Sequence, residues 1–216
     1  MKRKLFLLTA IILTLSFFLT ACGQGSVIED TAKENAINAL NKAFDASITD
    51  ANLILMQHEE IYFENDQIKQ NDPETWVEYY RVSVDDEQGG SLFYSEVDAR
   101  TSAVTYVYQN ADKIELTAEQ EKQAKAIGTF AEYSANRFQQ EQKDAASVAV
   151  RWVQDKMEPE GDVDHAVTKD IYTDQEMFPT LVFESIVVMK SGTAYDVNVV
   201  WPAMQVCQAR IFQPVS

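Results

Sequence analysis

"FYSEVDARTSAVTYVY", residues 93–108, decides how this chain is read. Phe93, Ser95 and Val97 alternate with Tyr94 and Glu96, and a second run passes from Val104 through Tyr106 and Tyr108. A period of two sends successive side chains to opposite faces, as in a strand with one covered face. Asp98, Ala99, Arg100, Thr101 and Ser102 between the runs are small or polar residues that turn the chain. The stretch is predicted to be an antiparallel hairpin. "WVEYYRVSV" (76–84) alternates through Tyr80, Val82 and Val84, and a loop with two glycines joins it to "SLFYSEV" (91–97), which extends the hairpin to a meander.

Further toward the N-terminus, Thr31 with Glu34 fits a capping box. Ala36, Ile37, Leu40 and Phe44 then recur at helical spacing. "ANLILMQHEEIYFEN" (51–65) is assigned to strand, and Asn71, Asp72 and Pro73 to a turn. A helix followed by a meander makes an α+β unit with the helix over one sheet face. On the other side of the hairpin, residues 117–142 read as a connecting helix, with Thr117 at its N-cap and Ile127, Phe130, Ala131, Ser134 and Phe138 along one face. Asp144 is expected to cap a further helix carrying Val148, Ala149, Trp152 and Val153, which "MEPEGD" (157–162) ends. Strand-like runs follow: "HAVTKDIY" (165–172), "TLVFESIVVMK" (180–190), a turn at Ser191 and Gly192, "TAYDVNVVW" (193–201) and "MQVCQARIF" (204–212).

The second half repeats the first in outline. Phe93, Ser95, Val97 and Val104 fall opposite Tyr195, Val197, Val199 and Val206, and the last two of each set are seven residues apart in both halves. The expected class is therefore α+β: two related modules, residues 31–116 and 117–216, each a helix packed on an antiparallel β-meander. The hairpin adds a resemblance. Val97, Asp98, Ala99, Thr101 and Val104 look like the last hairpin of the PepSY module, with Ser102 where that family has glycine. The resemblance implies a small cystatin-like fold in a secreted or membrane-anchored bacterial protein, with a role in protease inhibition, chaperoning or partner binding. Glycine there relieves a turn that needs positive φ, so Ser102 implies a different or a strained turn. Val200, Trp201, Pro202 and Ala203 in the second half lack the motif.

The chain begins with Lys2, Arg3 and Lys4 and runs from Leu5 to Ala21 without a charge, the build of a secretory signal. Leu19, Thr20, Ala21 and Cys22 resemble the bacterial lipoprotein signal. That resemblance implies cleavage before Cys22, a diacylglyceryl group on its thiol, and a tether over residues 22–30. The nucleophile that forms the thioether is a thiolate, and two acyl chains anchor where one would only visit. The expected location is the extracytoplasmic face of a bacterial cell membrane.

Removing residues 1–21 takes away three of the 18 basic residues and none of the 34 acidic ones, which leaves a net charge of −19. So acidic a surface repels nucleic acid and anionic lipid headgroups. With Cys22 lipidated, Cys207 has no partner for a disulfide, and its strand-like setting fits a small buried residue. "HEEIY" (58–62) lacks the second histidine of a zinc-protease helix. Asp162 and Asp164 lack the remaining ligands of a calcium loop. No catalytic motif stands out, no cofactor or metal is expected, and the chain reads as a binding or regulatory module rather than an enzyme. The alternative is an envelope-associated hydrolase with an unrecognised carboxylate site. Tyr94, Tyr106 and Tyr108 share a phase on adjacent strands, and Tyr79 shares one with Arg81 on the next. These five are the candidate binding residues for a protein or peptide partner, on a sheet face expected to be exposed.

Overall fold

In the computed structural model the alternating segments become eight strands of one antiparallel sheet, described over residues 28–70, 76–126, 138–173 and 181–214. Helix α1 (28–44) precedes strand β1 (Asn52–Glu59), the small hairpin β2 (Ile61–Glu64) and β3 (Gln67–Gln70), and the meander β4 (Trp76–Asp85), β5 (Ser91–Asp98) and β6 (Val104–Gln109). Helices α2 (Ala118–Lys125) and α3 (Gln139–Trp152) lead to β7 (Val163–Thr173), β8 (Leu181–Met189), β9 (Ala194–Trp201) and β10 (Gln205–Phe212). The order across the sheet is β1-β4-β5-β6-β10-β9-β8-β7. Each half thus lays its strands down in sequence from an outer edge, and the two last strands, β6 and β10, pair at the centre.

The helices cover one face. Ala32 and Ala36 of α1 pack on Tyr80, Val82 and Val97, while Leu40 and Ala43 join a larger cluster with Ala145, Ala149 and Val153 behind α3 and with Phe183, Val187, Val197 and Val199 of the sheet. The helix ends meet: the Trp152 indole donates to the Ala43 carbonyl at 3.2 Å, and Lys156 reaches Asp45 at 2.7 Å. Among the described residues, the buried hydroxyls on this side are hydrogen-bonded. Ser95 donates to the Tyr106 carbonyl, and the Thr168 hydroxyl contacts both Ser185 and the Gln142 carbonyl of α3.

The two central hairpins agree in detail. Val97 pairs with Val104 and Val199 with Val206, and in each the next residue, Thr105 or Cys207, is a bulge. Ser102 and Met204, five residues past those first valines, both have positive φ, +57° and +54°. Their amides donate to the carbonyls of Asp98 and Val200 at 2.9 and 2.7 Å. Ser102 is therefore the strained residue its place in the turn implied. The Asp98 carboxylate accepts from the amides of Arg100 and Thr101 and from the Thr101 hydroxyl, and Asn35 of α1 donates to the Ser102 carbonyl at 2.8 Å.

Helix boundaries differ from the expected ones. The chain is already helical at residue 28, so Thr31 lies within α1 instead of capping it. Thr117 does cap α2, in a reciprocal box with Gln120. Asp144 lies inside α3, which starts at Gln139; Gln140 donates to its carboxylate, and Phe138 before the helix is buried. Ile127, Phe130, Ala131 and Ser134, like Asn71, Asp72, Pro73 and the whole N-terminal signal with Cys22, lie outside the described residues. Gly192 takes φ +91° in the β8–β9 turn, where a side chain would be strained.

Candidate functional site

Residues paired directly across antiparallel strands share a face, and the register places a charged row on the face away from α1 and α3. Arg81 of β4 pairs with Glu96 of β5, Glu96 with Tyr106 of β6, Tyr106 with Arg210 of β10, and Arg210 with Asp196 of β9. The neighbouring row runs Ser83, Tyr94, Tyr108, Gln208, Asn198, Glu184 and Asp170. The five candidate binding residues all lie in or beside these rows, so the phasing brought them to one face. Tyr94 stacks against Tyr108 and Tyr106 with ring centroids 4.6 and 5.2 Å away. Arg81 lies 4.3 Å over Tyr94, and Arg210 lies 4.5 Å over Tyr106.

The face is not uniformly exposed, which corrects the expectation for two of the five. Tyr106 and Tyr79 keep only 4% and 9% of their surface; Tyr94, Tyr108 and Arg81 are half-buried. Tyr106 is sealed by the Tyr94 hydroxyl, 3.2 Å from its own, and by Arg210. Burial, and then the charge of Tyr94, push its phenol above the usual range. Tyr79 is stacked on His58 at 4.7 Å, and burial, then the charge of Glu96, raise its phenol.

Other segments fold over the same face. The β2–β3 hairpin puts Phe63 against Phe212 at 6.1 Å, and Lys169 of β7 lies over the Phe63 ring and donates to the Asp66 carbonyl. After β6, Ala111 and Ile114 pack on Val182, Val200 and Cys207. Cys207 is buried and in no disulfide.

Beside the hairpin, at the β1 end, a cleft of about 500 Å³ is lined by His58, Glu59, Trp76, Tyr79, Glu96 and Arg210, among others. Glu96 is 8% exposed, and its Oε2 lies 2.9 Å from Arg210 Nη1. That oxygen is charge-paired yet accepts no hydrogen bond of good geometry. His58 Nδ1 is 2.6 Å from the Glu59 carbonyl, to which it donates, and its Nε2 faces Glu96 at 3.9 Å. Trp76 is 55% exposed at the rim. The cleft offers a carboxylate, a guanidinium and the exposed Trp76 ring, a set suited to holding side chains of another polypeptide. Glu96 and Arg210 were legible as charges at phased positions of apolar strands; their meeting depends on the β6–β10 seam.

A second polar group lies along β9. Asp196 Oδ1 and Asn198 Oδ1 are buried without hydrogen-bond partners, while the Asn198 amide donates to the Tyr172 hydroxyl. Burial, then the charge of Glu184, push the Asp196 carboxyl up to about 7, against the opposing pull of Arg210 and Lys169. Glu184 is itself raised by burial and by Asp170. Asp162 pairs with Lys190 and Asp164 with His165. Among the described residues, no group of three or more His, Cys, Asp or Glu is placed to hold a metal ion, and no helix is long and apolar enough to cross a membrane. Comparison with protein-family models, curated proteins and solved structures finds no match for this chain.

Proposed function

We infer that the chain is a lipid-anchored, extracytoplasmic binding or regulatory module that holds a protein or peptide partner on the open sheet face, without turning it over. The observation that carries this reading is the cleft: exposed Trp76 at its rim, and within it the buried Glu96 paired with the half-buried Arg210. Aromatic and arginine anchors around a desolvated centre are the usual composition of an interface hot spot. The anchor is read from Leu19 to Cys22, with Lys2 to Lys4 on the cytoplasmic side before cleavage. The internal likeness of the two hairpins, bulge for bulge and positive φ for positive φ, supports two related PepSY-like modules joined along their last strands.

A photo-crosslinking residue at Gln57 or Gln70, beside the cleft, tests the reading in the membrane-anchored chain. Crosslinks to a polypeptide from these positions and none from Ala146 on α3 are expected; equal yields from all three would remove the cleft from the argument. Fatty-acid labelling should mark the wild type and leave Cys22→Ser unmarked. A hydrolase is the second reading, favoured by one observation: a buried Asp196 carboxyl held near neutrality beside Glu184 has the character of a general acid. Turnover of an envelope substrate that disappears with Asp196→Asn would establish it.

A further inference from the structure

Two strands end the sheet, and they are treated oppositely. β7 is interrupted by two register shifts, carries Asp164, His165, Lys169 and Asp170, and is tied to the β2–β3 hairpin through Lys169 and His165, which both reach Asp66. Bulges, charges and a covering segment are the devices by which natural sheets protect an edge from further pairing. β1 has no bulge, and its one carboxylate, Glu59, lies at its very end. It pairs with β4 in unbroken register over all eight residues, Asn52–Glu59, and contains no proline or lysine. Among the described residues no strand pairs with its outer side. Ile54 and Leu55 are 58% and 53% exposed, and Met56 is open as well. A long, flat, apolar edge left bare beside a guarded one is a template for another strand.

Charge selects the occupant. Asp50 precedes β1, Glu59 ends it, Glu60 follows it, and Glu78 and Asp85 lie on the adjacent β4. Among the described residues, the cations here are already engaged: Lys33 is bound to Asp50 at 2.6 Å, Arg81 is stacked on Tyr94, and Arg210 in the cleft is paired with Glu96 at 2.9 Å. A second copy of a chain with net charge −16 would bring the same acids to the same edge. We propose that β1 is a docking edge for an extended, basic polypeptide segment, which adds as a ninth strand and turns its side chains toward Ile54 and Met56 and into the cleft beyond them. This deepens the binding reading above and rests on it: main-chain hydrogen bonds hold the added strand, and the apolar and acidic border selects its sequence.

The test uses the full-length chain in detergent, with a short synthetic peptide of alternating lysine and valine as probe. The peptide should bind, more weakly in high salt, and should slow amide exchange in residues 52–59 by about tenfold or more. Methylating alternate backbone nitrogens of the peptide should weaken binding by about tenfold or more, because an edge strand must donate hydrogen bonds. Ile54→Lys with Leu55→Lys should weaken it similarly while leaving the melting temperature near that of the wild type, since both side chains are more than half exposed. Binding that ignores methylation and protects no β1 amide would overturn the docking edge and leave the binding face standing. Equal binding of a glutamate–valine peptide would overturn the basic partner. A dimer that the two lysine substitutions dissociate would give the edge to a second copy, and no binding at all would end the proposal.

Discussion

Ser102 carries a backbone conformation that glycine would adopt freely: its φ is +57°, held by the hydrogen bond its N–H donates to the Asp98 carbonyl and by the one its own carbonyl accepts from Asn35. A left-handed non-glycine residue costs roughly 1–2 kcal/mol, and glycine returns part of that gain through its looser unfolded chain. Ser102→Gly should therefore stabilise the fold by about 0.5–1 kcal/mol in urea unfolding; an unchanged or lower midpoint would mean that the turn is not strained. Asp196 poses a second question at this scale. Its folded carboxyl titrates at about 7, above an ordinary aspartate, so the folded state binds the proton more tightly than the unfolded state does. The wild type should lose stability as pH rises from about 4 through about 7, and the penalty should stay constant above that, up to about 4 kcal/mol at 1.36 kcal/mol per unit. Asp196→Asn should flatten this slope and melt higher than the wild type at pH 8. If the substitution lowers the melting temperature equally at pH 5 and pH 8, the carboxylate is paired in solution and the burial argument is wrong.

At the scale of elements, the tyrosine-bearing strands separate two roles that looked alike in sequence. Tyr106 is 4% exposed beneath Arg210, whereas Tyr94 is half-buried at the surface of the same stack. Tyr106→Ala should cost about 3 kcal/mol, as removal of a buried ring does. Tyr94→Ala should cost about 1 kcal/mol, the scale of one cross-strand aromatic contact. Thermal melts of the two single variants would decide it, and equal losses would show that both rings are core. The alternation in residues 93–108 was enough to place these tyrosines on one face, because phase is a local property of the strand. It could not say how well that face is covered. Tyr106 is covered by Arg210 of β10 and by Tyr94, and Tyr79 by His58 of β1, while Phe63, Ala111 and Ile114 cover Phe212, Val182, Val200 and Cys207 further across the sheet, all through contacts far apart in sequence. The same reason hid the cleft: Glu96 and Arg210 are 2.9 Å apart across the β6–β10 seam and more than a hundred residues apart in the chain.

The whole molecule raises the question of whether two similar halves behave as two units. The likeness of the two central hairpins was legible because Val97 to Val104 and Val199 to Val206 have equal spacing, and both couples pair beside equivalent bulges. What spacing could not reveal is that the halves share an interior. Leu40 and Ala43 of α1 and Val107 of β6 belong to one cluster with the α3 residues Ala145 and Ala149 and with Val197, Val199 and Ala209. The β6–β10 seam is short in register, from Tyr108–Gln208 to Tyr106–Arg210, yet it lies at the centre of the sheet with Val107 and Ala209 nearly inaccessible beneath it. Cutting the chain there would bare two central strand edges and the apolar faces of both helices at once. Each exposed edge lacks the protection seen on β7, and each half would bury less apolar surface than a domain of its own size needs. The full chain should therefore unfold in one transition, with calorimetric and van't Hoff enthalpies in agreement. Fragments 27–114 and 115–216 should show no cooperative melt apart, and mixing them should restore one if the seam drives their assembly. Two resolved transitions in the full chain, or a sharp melt from either fragment alone, would show that each half has a sufficient core and that the shared cluster is only a contact between finished domains.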